Sequence, residues 1–290
     1  MIPISVIIPY YNGSKYITDT LNSVLSQSCP PAEIILINDG SSDEETLFLE
    51  QFKDKVTLIH QKNVGVSTTR NTAINLANNE WLAFLDQDDL WAHDKIEKQW
   101  AFIQNNPGCQ AIHTAVKAMR NGKIFAEYRK KTLYLEDFLL TDPNQSYLSS
   151  TLIKKELIIK SGLFNPVLPY SQDRECFIRC SLKATFHYLD ECLTTRRQHH
   201  NNLSGNYYGV WKENININRF YENQFETPKK YKKSLKTLHS EYFTKAVYHR
   251  NFRMVRDILN ELQVDGFYRL KFLINMFYFL IKQKTKQPKT

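Results

Sequence analysis

Three carboxylates stand within four positions in Asp86-Gln87-Asp88-Asp89, directly after the apolar run Trp81-Leu82-Ala83-Phe84-Leu85. A run that short reads as a buried strand, and unpaired charge cannot lie along such a strand because burying it costs too much. The acids therefore belong at the strand's C-terminal end, the edge where open α/β sheets bind ligands. Carboxylates this close suit a hard divalent cation, Mg2+ or Mn2+, held by one or two side chains together with a ligand's phosphates. The bland reading is a strand-end turn in which Asp89 or Asp94 caps the next helix.

What lies on either side favours the chemical reading. Ile4–Pro9 predicts a first strand, followed by Tyr10-Tyr11-Asn12-Gly13 as a turn and a helix over Lys15–Gln27. Glu33–Ile37 predicts a second strand ending in Asn38-Asp39-Gly40, then a short helix over Leu47–Phe52 and a third strand over Val56–His60. A further helix runs from Gly65 to about Ala77 and carries Arg70. This alternation implies right-handed βαβ units on a parallel sheet. Polar residues recur at the strand ends, Tyr10-Tyr11-Asn12, Asn38-Asp39 and Asp86-Asp88, as in a nucleotide site. No G-x-G-x-x-G fingerprint follows the first strand, and there is no Walker A sequence.

Downstream, an amphipathic helix is expected over Asp94–Asn105 and two strands within 109–128, turning at Asn121-Gly122. A short helix over Leu133–Leu140, a strand over Ser146–Ile153 and a helix over Lys154–Lys160 follow, the last stopped at Gly162. Asp173–Leu182 predicts a helix with its acid in the first turn, and Thr194–Gly205 is rich in Arg, His and Asn.

The chain has 290 residues, enough for one large domain or two small ones, and its hydrophobic content of 42% excludes bulk disorder. Residues 206–290 hold 17 Lys/Arg against 7 Asp/Glu, so with a net charge of +8 overall, residues 1–205 carry about −2. A near-neutral domain over 1–205 and a basic helical extension over 206–290 are expected. The extension suggests an anionic partner, a membrane surface ahead of nucleic acid, for which no recognised module is present. Helical spacing recurs at about 207–223, 229–249, 251–263 and 266–283. The last stretch is strongly apolar, too short to span a bilayer comfortably, and followed by lysines. It reads equally as an interfacial helix on anionic lipid or as a helix packing on the catalytic body or on a second copy in a homo-oligomer. The N-terminus reads as a strand and not a signal peptide, and the five scattered cysteines as reduced thiols. The expected location is the cytoplasm, with peripheral attachment to the inner face of the membrane. Cys176 and Cys180, four apart on a helix, read as buried thiols ahead of a zinc site.

Seven segments in one order resemble the family 2 glycosyltransferases, nucleotide-sugar enzymes of the GT-A fold. They are Ser5–Asn12, Ile37–Asp43, Asn63–Asn71, Phe84–Asp89, Gly162–Asn165, Gln172-Asp173 with Arg179, and Arg197–Ser204. The last resembles the Arg-x-His segment of rhamnosyltransferase-like bacterial members. The resemblance covers about residues 3–205. It departs at Asn38 and Gln172, where the family often has acids, while Asp39 and Asp173 keep theirs.

The resemblance implies an inverting, metal-dependent transferase of surface-glycan assembly. Its donor would be UDP- or dTDP-linked, and its acceptor a hydroxyl of a glycan or lipid-linked molecule. Asp39 would accept the imide N–H of uracil or thymine, and Pro9 and Tyr11 would line the base pocket. Arg70 would reach the nucleotide or diphosphate, for which arginine's paired donors suit it. Asp86 would contact ribose and metal, Asp88 would bind the metal, and His199, to which the family spacing points ahead of its neighbour His200, would complete the metal shell or touch the diphosphate. Arg197 would clamp the diphosphate or support the loop. Asp173 would be the general base. Competing readings are a sugar nucleotidyltransferase, which would want a glycine-rich basic loop after the first strand, and an inert GT-A binding module.

Overall fold

The computed structural model describes residues 1–129, 134–140, 148–200, 202 and 205–262. The chain divides into two compact units, Met1–Asn202 and Leu203–Thr290.

The first unit is a mixed sheet flanked by helices. Strands β1 (Ile2–Tyr10), β2 (Pro31–Asp39), β3 (Thr57–Gln61) and β4 (Trp81–Phe84) pair in parallel in the order β3-β2-β1-β4. Seven consecutive residues of β1, Ile4–Tyr10, are buried, as expected of a strand covered on both faces. Helix α1 (Ser14–Leu25) buries Ile17, Thr20, Leu21 and Val24, one face at helical spacing. Helix α2 (Asp43–Leu49) carries Asp43, Glu44 and Glu45 in its first turn, where the helix dipole favours anions. Helix α3 (Val66–Leu76) completes the expected alternation, so three loops leave the C-terminal ends of β1, β2 and β4 on one sheet edge.

Beyond β4 the sheet continues through β8 (Leu152–Lys154), β6 (Ala111–Arg120), β9 (Phe186–Arg197) and β5 (Leu90–Trp91), with β7 (Lys123–Tyr128) hairpinned onto β6. The pairs β4–β8, β6–β8 and β5–β9 are antiparallel, whereas the long β6–β9 ladder is parallel. Helices α4 (Lys95–Asn105), α5 (Leu135–Leu140), α6 (Lys155–Lys160) and α7 (Gln172–Ser181) complete this unit.

One expectation needed correction, and one strand was not expected. Of the strand expected over Ser146–Ile153, the described residues form a 3-10 turn at Leu148–Ser150 followed by β8 at Leu152–Lys154. The Ser149 and Ser150 carbonyls explain this, because they bond to Trp91 Nε1, Thr194 and Gln99 side chains instead of a strand partner. The twelve-residue β9 had no sequence expectation. Its burial follows no period of two, and its ladder with β6 is broken by register shifts around Ala115.

The described residues of the second unit form helices α8 (Tyr207–Phe220), α9 (Pro228–Tyr248) and α10 (Phe252–Glu261). Each start is capped by a side chain, Asn206, Thr227 and Asn251 accepting from the backbone N–H three residues on. Trp211, Leu238, Tyr242, Met254 and Ile258 are among its buried side chains. The helix expected over 266–283 lies outside the described residues. No helix among the described residues is long and apolar enough to cross a membrane.

Candidate active site

The acid loop after β4 is fixed from several sides. Asp86 N–H donates to Ser149 Oγ at 3.2 Å, and Asp89 N–H closes a turn onto the Asp86 carbonyl at 3.1 Å. Asp86 Oδ1 is 2.6 Å from Arg70 Nη2. Asp88 Oδ2 accepts from Asn202 Nδ2 at 2.9 Å and lies 2.7 Å from His199 Nε2. The His199 ring is stacked on Tyr16, with centroids 4.6 Å apart. Asp89 is buried and accepts the Arg197 backbone N–H at 3.2 Å. Burial, with the Asp88 and Asp86 charges beside it, pushes its carboxyl well above the usual range. Asp89 thus serves the turn.

Arg197 turns its guanidinium toward protein. It donates to the Asp88 carbonyl, to Tyr16 O at 3.0 Å and to Thr20 Oγ1 at 2.8 Å, and pairs with Asp19 at 3.1 Å. Four of its five donors are engaged, so of the two roles open to it the contacts supply support, tying α1 to the acid loop.

Asp39 ends β2 with its carboxylate buried. Gln61 Nε2 and the backbone N–H groups of Val64 and Gly65 donate to it at 2.8, 2.9 and 2.9 Å. These bonds shape the loop that starts α3, whose cap Gly65 has φ +84°, a conformation that favours glycine. One acceptor position of roughly four on the carboxylate is left over. Pro9 is buried in β1, and Tyr11 stands just past it, half exposed.

Arg70, one turn into α3, is 4% exposed. Its Nη2 holds Asp86, while Nε and Nη1 are buried without a hydrogen-bond partner among the described residues. Its guanidinium carbon lies 5.5 Å from the Phe164 ring centroid. Asn71 locks that region by exchanging two hydrogen bonds with the Phe164 backbone, at 2.8 and 2.9 Å.

Asp173 is the second residue of α7, and it accepts the Arg174 N–H at 2.7 Å. Protein crowds the carboxyl although a little of it reaches solvent, and this desolvation lifts its pKa to about 6. The Arg70 charge pulls it down and the Asp86 charge pushes it up, so all three groups share one electrostatic environment. Arg179 anchors α7 by pairing with Glu175 at 2.7 Å and donating to the Leu163 carbonyl at 2.5 Å, across the turn that ends α6.

The structure therefore joins Asp39, Arg70, Asp86, Asp88, Asp173 and His199 through a chain of loops and direct contacts. Among the described residues no three His, Cys, Asp or Glu side chains form a ready metal cage. A cation held partly by phosphates needs no such cage. Asp88 keeps one oxygen without a hydrogen bond among the described residues, and His199 Nε2 stands beside the other. A divalent ion would take that free oxygen, and His199 Nε2 could join it only by giving up its contact with Asp88 Oδ2. Two open grooves elsewhere, of about 680 and 550 Å3, include none of these residues. Sequence reasoning did not find Gln87, Tyr16, Ser149 or Asn202 as parts of this site. Of these, Gln87 and Asn202 lay within segments whose polar composition drew attention.

The family model described as "Glycosyl transferase family 2" matches residues 5–155. A putative teichuronic acid biosynthesis glycosyltransferase, TuaG of Bacillus subtilis (strain 168), is 42% identical over 104 residues, which are 34% of this chain and 41% of that protein. An uncharacterized glycosyltransferase of Rickettsia typhi is 28% identical over 204 residues, 68% of this chain and 64% of that protein. The chain thus spans less than two thirds of the length of either relative. Among solved structures, S. aureus TarS 1-349 in complex with UDP has a TM-score of 0.64 at 21% identity, covering 84% of this chain and 72% of that one. The mannosyltransferase PcManGT from Pyrobaculum calidifontis, in complex with GDP-Man and Mn2+, has a TM-score of 0.62 at 15% identity, covering 96% and 80%. At these identities the structural likeness is one of fold, the GT-A fold.

Proposed function

The chain belongs to glycosyl transferase family 2, and we propose that it transfers a sugar, with inversion, from a UDP- or dTDP-linked donor to a hydroxyl of a glycan or lipid-linked acceptor in surface-polysaccharide assembly. The observation that carries this reading is Arg70. Two buried guanidinium nitrogens, which carry three N–H donors without partners among the described residues, are costly in a finished interior, and they sit beside Asp86 and near Asp173. An anionic ligand would satisfy both.

In this reading Pro9 and Tyr11 flank the base, and Asp39 accepts its imide N–H with the position left free. Arg70 Nε and Nη1 donate to the nucleotide or diphosphate. Asp86 contacts the ribose through the oxygen that Arg70 leaves free. Asp88 and His199, with Asp86, would hold Mn2+ or Mg2+, which when bound neutralises charge on the departing diphosphate. Asp173 takes the acceptor hydroxyl's proton as that oxygen attacks the anomeric carbon. The bond to the diphosphate oxygen breaks on the opposite face, and the anomeric configuration inverts. A carboxylate with a pKa of about 6 is ionised at neutral pH and is a stronger base than a free aspartate. Arg197, Asp89 and Asn202 hold the loop that presents Asp88.

A thermal-shift screen of UDP-, dTDP- and GDP-sugars with Mn2+ tests this, because a ligand specific to the folded state raises its apparent stability. At least one UDP or dTDP donor should raise Tm, and the rise should vanish in Arg70→Met. No shift with any donor would overturn the proposal.

A further inference from the structure

Helix α9 breaks two rules of helix electrostatics at once. Its first turn holds no acidic residue, although the helix N-terminus favours anions. In its place come Lys229, Lys232, Lys233 and Lys236, spaced i, i+3, i+4, i+7, so the four make one stripe of roughly 10 Å along the helix. Every neighbouring pair in the stripe is a like-charge pair, which weakens a helix. All four are exposed, on the side away from the buried Ser234, Leu238 and Tyr242.

The remaining lysines of the same helix are treated differently. Lys230 pairs with Glu226 and Lys245 with Glu241. None of the four stripe lysines has a carboxylate partner among the described residues. In the other unit, α2 shows the ordinary arrangement, with three acids in its first turn. Local rules broken together, without internal compensation, mark a surface kept for something outside the fold.

We propose that this stripe docks the protein on an anionic phospholipid surface. A convex helix face offers no groove for a discrete ligand, but it suits an extended charged plane. Lysine is a hydrated point charge fit for diffuse attraction to headgroups, whereas stereospecific phosphate recognition favours the arginine fork. Phe220, which closes α8 shortly before α9 begins, is 81% exposed, and aromatic rings favour the membrane interface.

The test uses the full chain and a variant with all four lysines changed to glutamine, a neutral residue of good helix propensity. Both are sedimented with phosphatidylcholine vesicles with and without phosphatidylglycerol, at low and high salt. The expected result is binding only to phosphatidylglycerol vesicles, lost at high salt and weakened ~100-fold or more in the variant. The variant should melt no lower than the parent and keep donor hydrolysis, so failure of this inference is separate from failure of the catalytic reading. Three results overturn the proposal: no binding by the parent, equal binding by the variant, or tighter binding to RNA or an acidic polysaccharide than to the vesicles.

Discussion

The side-chain amide of Gln87 pairs with both backbone polar groups of Tyr11. The Tyr11 N–H donates to Gln87 Oε1 at 2.7 Å, and Gln87 Nε2 donates to the Tyr11 carbonyl at 3.0 Å. The amide thus acts as one more rung beyond β1, binding the proposed base platform to the acid loop. Thr20 fixes the Gln87 carbonyl at 2.8 Å from the other side. A Cβ on Gly13 would stand 2.6 Å from the Gln87 amide carbon, which explains the glycine. Gln87→Leu keeps the bulk and removes both bonds. Steady-state kinetics should show the donor KM rising ~10-fold, with a smaller change in kcat.

That clamp also marks where the sequence stops being readable. The strand-end acids, the alternation of β1 to β4 and the Arg70 helix were legible, because short apolar runs ending in polar clusters are local patterns. Gln87 looked like a spacer between two carboxylates. Its role depends on Tyr11, 76 positions away, and no local pattern carries that. Ser149, which bonds the Asp86 backbone, is hidden in the same way. The strand β9 was missed because its half-buried residues mix charge with apolar character, and β5 because two residues make no period.

Asp173 ties activity to pH and to stability. Its folded pKa of about 6 exceeds that of the unfolded chain. Between about pH 4 and 6 the folded state therefore binds more protons, and stability falls as pH rises through that window. Asp173→Asn removes this cost. The variant should melt higher than the parent at neutral pH, by at most about 3 kcal/mol in stability, and show no advantage near pH 4. Its kcat should fall roughly 10²- to 10⁴-fold, and the parent's kcat should rise with pH through about 6. Calorimetric melts and a pH–rate profile check both.

Arg70→Lys keeps the charge but cannot supply paired donors. A lysine can still pair with Asp86, which keeps solvent access, so the variant should stay folded. Donor affinity measured by calorimetry should nevertheless fall at least ~10-fold. Retained affinity would mean that the two unpartnered guanidinium nitrogens meet no ligand.

His199→Ala removes the nitrogen beside Asp88 and the ring stacked on Tyr16. The Mn2+ concentration giving half-maximal activity should rise ~10- to 100-fold, read from a metal titration of the EDTA-treated protein. An unchanged titration would remove His199 from the metal's surroundings.

The most direct measurement is release of nucleoside diphosphate from UDP- and dTDP-sugars by the purified protein, followed with and without Mn2+ and in Asp88→Ala. The converging loops predict slow, Mn2+-dependent release from at least one donor, abolished in Asp88→Ala while the variant stays folded. Release that is indifferent to Asp88, or no release and no binding of any donor by folded protein, would contradict the account.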